Sequence, residues 1–189
     1  YADNNQVVFE ADESDESFLN SNPYSAIITN VEPEHMEYYE YDEERFYNAY
    51  RNFLNLAKIR IINAEDEFLS SLDIEAIRFY PSKYMSKIEF VLVNGEPHTR
   101  FTLKDFGNFE VFGFGYHIAL DASLAILGAL EMGENIEDIR KNLLNYKGIK
   151  KRFDIIQNYD DTVVIDDYGH HPTEIKATMD SLKIYKELR

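Results

Sequence analysis

A chain of 189 residues that is 44% apolar and 14% aromatic can bury a substantial core, so disorder is excluded and one domain, or one plus part of a second, is expected. The formal charge of -16 excludes the basic surface on which nucleic-acid and anionic-membrane binding rest, so a negatively charged ligand requires a local basic patch. There is no cysteine, which removes disulfides, thiolate metal sites and thiolate nucleophiles and is compatible with a cytoplasmic protein; no run of these residues has transmembrane length and none reads as a signal peptide.

Residues 6–9, Q-V-V-F, read as a buried strand ending at Glu10, followed by the acidic turn A-D-E-S-D-E-S. Residues 25–31, S-A-I-I-T-N-V, read as a second strand that ends in E-P-E-H, so carboxylates again gather behind an apolar run, now with His35. Taken alone, such a turn reads as solvated; repeated with an imidazole, it offers oxygen and nitrogen ligands for magnesium or manganese. Residues 43–57 carry Phe46, Tyr50, Phe53 and Ala57 on one helical face, and the run at 59–62 before N-A-E-D reads as the next strand. Strand, helix, strand at this spacing predicts a parallel crossover.

From 76 to 112 the period changes to two, and Asn94-Gly95 between I-E-F-V-L-V and the run after Pro97 signals a hairpin. Pro97 confines its second arm to an edge or to a late start. Residues 112–133 open on a glycine-bearing turn and become a helix apolar enough to be largely buried, with Gly133 as its stop. Asn135 is a candidate N-cap for a helix over 136–146 with Ile139, Leu143 and Tyr146 as its stripe. Lys147, Lys150, Lys151 and Arg152 then form the dense basic cluster of the acidic chain, either a solvated face or a phosphate clamp in which Arg152 offers a bidentate fork.

The stretch 162–175, T-V-V-I-D-D-Y-G-H-H-P-T-E-I, organises the rest. Its apolar start predicts a strand buried on both faces, and Pro172 opens a helix whose stripe is Ile175, Met179 and Leu182. Asp166, Asp167, Tyr168, His170 and His171 occupy the turn between them, where helix N-H groups can meet anions. The expected fold is α/β, a mostly parallel sheet flanked by helices with a small antiparallel hairpin addition. Tyr1 and Arg189 read as cut ends of something longer.

E-A-D-E-S-D-E-S-F from Glu10, T-N-V-E-P-E-H-M from Thr29, N-A-E-D from Asn63, G-Y-H-I-A-L-D-A from Gly115, G-I-K-K-R-F-D from Gly148 and D-D-Y-G-H-H-P-T-E-I from Asp166 together resemble the Mur ligases. Their order and spacing span nearly the whole chain. The resemblance implies an ATP-dependent acid–amino-acid ligase of peptidoglycan synthesis, in which phosphoryl transfer activates a carboxylate as an acyl phosphate that an amine then attacks, with Mg2+ offsetting the charge. It implies a central ATPase domain over 1–150 and the start of the third domain over 151–189. The family's glycine-rich G-K-T phosphate loop is absent from these residues and is expected upstream, so this stretch alone is expected to be inactive.

Carried over by motif, Glu10 and His35 are implied as metal ligands, and His117 and Asp121 as neighbours of the adenine. Arg152 is implied at the ATP phosphate, Asp167 at the ribose, and Tyr168, His170 and His171 at the substrates, with His170 and Arg152 as the catalytic pair. Where the family carries G-x-H-N-x-x-N, Ile118 and Asp121 replace both amides. D-E-S-D and D-D-Y-G-H-H-P are most like the branch that joins L-alanine to UDP-N-acetylmuramate; the sibling branch that recycles murein tripeptide carries D-E-Y-D and D-D-F-A-H-H-P. From the residues alone, a metal-dependent phosphoesterase built on Glu10, His35, Asp167 and His170 and a non-catalytic interaction fragment stay open.

Overall fold

Asp42 accepts the Arg45 N-H at 3.1 Å and starts the helix α1, Glu43–Leu56, with Glu43 and Glu44 in its positive first turn. Phe46, Ala49, Phe53 and Leu54 form its buried face. The computed structural model describes residues 6–159 and 162–188; the expected cut ends at Tyr1 and Arg189 lie outside them. Two units are distinguished, Tyr1–Phe79 and Tyr80–Arg189.

In the first unit, strands β1, Ser25–Ile28, β2, Ile59–Asn63, and β3, Ile77–Phe79, pair in parallel in the order β1-β2-β3. The expected strand–helix–strand crossover is therefore present. A short helix α2, Glu67–Ser71, follows β2, and Phe18, Tyr39, Phe46, Phe53, Leu54, Ile62 and Leu69 belong to the core beneath. Phe18 stacks on Phe53 at 4.8 Å, and Tyr39 meets Phe46 edge-on at 5.1 Å. The buried strand expected over 6–9 does not form: Val7 and Val8 are 82% and 99% exposed, and β1 pairs only with β2 among the described residues. An apolar run without a hydrogen-bonding neighbour gains nothing from the extended state.

The second unit begins with a single-turn helix α3, Pro81–Tyr84, and an antiparallel sheet of β4, Met85–Val93, β5, Glu96–Leu103, and β6, Gly107–Phe112. Asn94 and Gly95 adopt φ 53° and 82°, the positive values of a two-residue hairpin turn. Pro97 does not place its arm at an edge. β5 is the central strand, already paired from Glu96, and the Pro97 carbonyl accepts the Gly113 N-H at 2.8 Å. The antiparallel part is thus a three-stranded meander rather than one hairpin.

Helix α4, Tyr116–Glu131, buries Ala119, Ala122, Ser123, Leu124, Ile126 and Gly128, and Gly133 at φ 89° ends it. Helix α5, Ile136–Asn145, is capped by Asn135, whose side chain accepts the Glu137 N-H at 2.8 Å. Strands β7, Asp154–Asn158, and β8, Val163–Asp166, form an antiparallel ribbon, followed by helix α6, Pro172–Leu188. β8 is not buried on both faces: its residues alternate half-buried and exposed, because Val163 and Ile165 alone turn to the cluster of Phe114, Phe153 and Tyr185. Of the expected α6 stripe, Leu182 packs against this cluster, but Ile175 and Met179 do not. Ile175 and Met179 are 48% and 50% exposed, while Ser181 and Tyr185 are buried and Ser181 Oγ bonds the Phe114 carbonyl at 2.9 Å. No helix of the described residues is long and apolar enough to cross a membrane.

Candidate functional site

Behind β1, two turns converge within the first unit. The acidic turn is fixed by its own side chains, with Asp12 accepting the Ser14 N-H at 2.9 Å and Asp15 the Ser17 N-H at 3.0 Å. Bonds from Ser14, chiefly, hold the Asp12 carboxyl below its usual range. The fully buried Tyr39 donates its hydroxyl to the Glu13 carbonyl, and burial first, with Glu16 and Glu13 nearby, pushes its pKa up to about 12. Opposite, Asn63 donates to the Thr29 carbonyl at 3.0 Å and Asp66 accepts the Val31 N-H at 3.0 Å, so N-A-E-D holds the end of β1 in place.

These restraints bring one ligand atom each of Glu13, Glu34 and His35 within 4.8 Å of one another. Two carboxylates and an imidazole in that space, partly open to solvent, fit a hard divalent cation completed by water. His35 sits at φ 53°, a left-handed backbone uncommon outside glycine that turns its side chain into the group. Glu10, paired with His35 from the sequence, is exposed and stands outside the three. Glu13 and Glu34 carry no sequence signal that sets them apart from the carboxylates beside them.

The second unit assembles a separate group around the β8–α6 turn. Asp167 accepts the Phe153 N-H through Oδ2 at 2.8 Å and the Gly169 N-H through Oδ1 at 2.8 Å, while the Tyr168 N-H donates to the Lys151 carbonyl at 2.7 Å. The basic segment is thereby stitched to the turn. A Cβ at Gly169 would lie 2.7 Å from Asp167 Oδ1, so any larger residue there displaces the carboxylate that stitches the turn. Arg152 Nη1 reaches Glu174 Oε1 at 2.9 Å, and its guanidinium carbon lies 5.9 Å from the centre of the Tyr168 ring. Tyr168 and His170 meet edge-on at 5.4 Å, and the His170 and His171 N-H groups donate to Glu174 Oε2 at 3.1 and 3.3 Å. The helix N-terminus expected to face an anion is met by this carboxylate.

His117 opens α4 within the field of the same turn. Desolvation chiefly lowers its pKa; Asp167 opposes that shift and Arg152 adds to it. Gly115, at φ 137°, makes room for it, because a Cβ would come within 2.3 Å of the imidazole. One turn on, desolvation raises the pKa of Asp121 to about 6. Burial and the Asp121 charge together raise the Tyr146 hydroxyl. Ile118 instead turns its methyls toward Gly113, where a Cβ would meet them at 3.2 Å. The structure therefore gathers Arg152, Asp167, Tyr168, His170 and His171, with His117 in their electrostatic reach, in one unit, and His35 with Glu13 and Glu34 in the other. Lys147 from the basic cluster pairs with Glu96 at 3.1 Å.

The described residues form a mixed α/β fold in which a parallel sheet is followed by antiparallel strands and a strand–helix turn rich in imidazole and carboxylate. The model of the Mur ligase middle domain matches residues 1–84, and that of the Mur ligase glutamate ligase domain matches residues 151–189. The chain belongs to the Mur ligase family. It is 59% identical over 188 residues to UDP-N-acetylmuramate–L-alanine ligase of Campylobacter curvus, covering 100% of this chain and 43% of that protein. The enzyme of the same name from Helicobacter pylori is 56% identical over 185 residues, covering 98% and 40%. Among solved structures, UDP-N-acetylmuramate-alanine ligase MurC from Thermotoga maritima superposes with a TM-score of 0.78 at 25% identity, over 94% of this chain and 42% of that one. The chain spans less than half the length of these relatives.

Proposed function

We propose that this chain is the part of a cytoplasmic, ATP-dependent ligase that adds L-alanine to UDP-N-acetylmuramate in peptidoglycan synthesis, with residues 1–150 in its central domain and 151–189 opening its third. The observation that carries the reading is identity of 59% along the whole chain to an alanine-adding ligase, in a chain whose basic segment and imidazole turn are joined. In this reading Arg152 meets a phosphate oxygen, Asp167 the ribose, and His117 with Asp121 the adenine edge. Asp167 already accepts two backbone bonds and keeps lone pairs free for hydroxyl donors. Tyr168, His170 and His171 face the substrates. ATP supplies the phosphoryl group that activates the carboxylate. His35 with Glu13 and Glu34 is the group suited to hold Mg2+, in place of the pairing of His35 with Glu10 expected from the motifs.

The test is ADP formation by the intact ligase carrying this chain. Turnover is expected only when ATP, UDP-N-acetylmuramate, L-alanine and Mg2+ are all present; alanine-independent turnover, or preference for murein tripeptide over alanine, would overturn the assignment. The metal part is read separately, by titrating Mn2+ and following paramagnetic broadening of imidazole signals. Broadening that spares His35 would remove it from the metal site.

A further inference from the structure

We propose that Glu174 is a positioning residue that fixes the Arg152 guanidinium against the His170–His171 turn, an inference that rests on the ligase reading of Arg152. Glu174 lies in the first turn of α6, two residues after Pro172. Its Oε2 accepts the His170 and His171 N-H groups at 3.1 and 3.3 Å, the return half of a capping box. Capping occupies that one oxygen. Oε1 is directed elsewhere, to Arg152 Nη1 at 2.9 Å, a partner far back in the chain. Three other charges along α6 behave differently: Lys176 and Lys183 both pair locally, with Asp180, at 2.7 and 3.0 Å.

The surroundings divide the work between two carboxylates. Asp167 and the Tyr168–Lys151 bond place the backbone of the basic segment, whereas the Arg152 side chain is met by Glu174 and, at 5.9 Å, by the face of the Tyr168 ring. That side chain is long, rich in rotamers and 49% exposed, so without a partner it samples many positions. Glu174 selects one, on the side of the turn that carries both histidines. The guanidinium keeps further N-H donors for a ligand, since Glu174 takes only Nη1. The carboxylate therefore sets the spacing between the group assigned to phosphate and the groups assigned to substrate.

Glu174→Gln separates this role from capping, because one amide oxygen still accepts the two N-H groups while the charge facing Arg152 is lost. In the intact ligase, this variant is expected to melt close to wild type and to lose about ten- to a hundredfold in kcat/KM for ATP, with KM for L-alanine unchanged. Glu174→Asp, which keeps the charge on a shorter stem, should recover part of the loss. In an Arg152→Ala background, Glu174→Gln should add less than about twofold, because the first change has already removed what the second acts through. Additive losses, an unchanged kcat/KM, or tighter ATP binding from a carboxylate that had merely blocked Arg152 would each overturn the proposal. A wild-type enzyme that forms no ADP would defeat the ligase reading instead. The pair itself is then read in the 189-residue chain by carboxyl NMR titration: Arg152→Ala should raise the Glu174 pKa, and an unmoved pKa overturns the inference.

Discussion

At the residue scale, Asp121 carries a charge in a place that disfavours it. Burial holds its folded pKa near about 6, above the ordinary 3.8, so its contribution to stability is complete below the ordinary value and is lost as pH rises through about 6. Asp121→Asn should therefore raise the melting temperature at pH ~7.5 and leave it nearly unchanged near pH 3.5, where the native carboxyl is already neutral. An equal shift at both pH values would show that packing, not charge, is responsible. Arg152 makes the opposite case. Its pair with Glu174 is half-exposed, so Arg152→Ala should cost less than about 1 kcal/mol of folding free energy while reducing kcat/KM for ATP far more. Comparable losses in urea stability and in activity would remove Arg152 from the phosphate. The motifs made Arg152, Asp167, His117 and His35 readable in the sequence, with Glu34 beside Glu32 in E-P-E-H, but Glu13 was not. Several carboxylates follow each strand, and only the Tyr39 and Asp66 bonds, from distant positions, decide which of them meet.

At the element scale, the restraints that shape the turns have measurable costs. Asp66 both caps α2, accepting the Leu69 N-H at 2.8 Å, and satisfies the N-H of the buried Val31. Asp66→Ala should cost about 2 kcal/mol, the sum of a lost cap and an orphaned donor, read as a shifted urea midpoint of the 189-residue chain. A loss well under 0.5 kcal/mol would mean that water replaces both bonds. The hairpin turn offers a cleaner backbone test. Gly95 has open space around an added Cβ but sits at φ 82°, so Gly95→Ala should cost about 1 kcal/mol through backbone strain alone. Helix α1 was readable from its apolar periodicity, α4 from its unbroken apolar run and α5 from its Asn135 cap, all of them local signals. The buried face of α6 was not, since Ser181 and Tyr185 win over Ile175 and Met179 only through Phe114 and Phe153.

At the scale of the whole molecule, a net charge of -16 on 189 residues implies self-repulsion in the folded state. Screening shortens from about 30 Å at 0.01 M salt to about 8 Å at 0.15 M, so the urea midpoint should rise across that range. A midpoint that falls would indicate that attractive pairs such as Arg152–Glu174 and Arg100–Glu110 outweigh the repulsion. Each unit has its own aromatic core, one around Phe46 and Phe53 and one around Phe114 and Tyr185.

The sequence by itself determined the mixed α/β class, the hairpin at Asn94-Gly95, the cap at Asn135, and the family, because each rests on short-range chemistry or on ordered motifs. Tertiary structure alone decided that residues 6–9 stay unpaired, that β5 is central despite Pro97, that β8 is covered on one face, and that Glu174 holds Arg152. Strand pairing and side-chain partnership join residues far apart in the chain, and a local apolar or charged pattern carries no record of which distant partner will complete it.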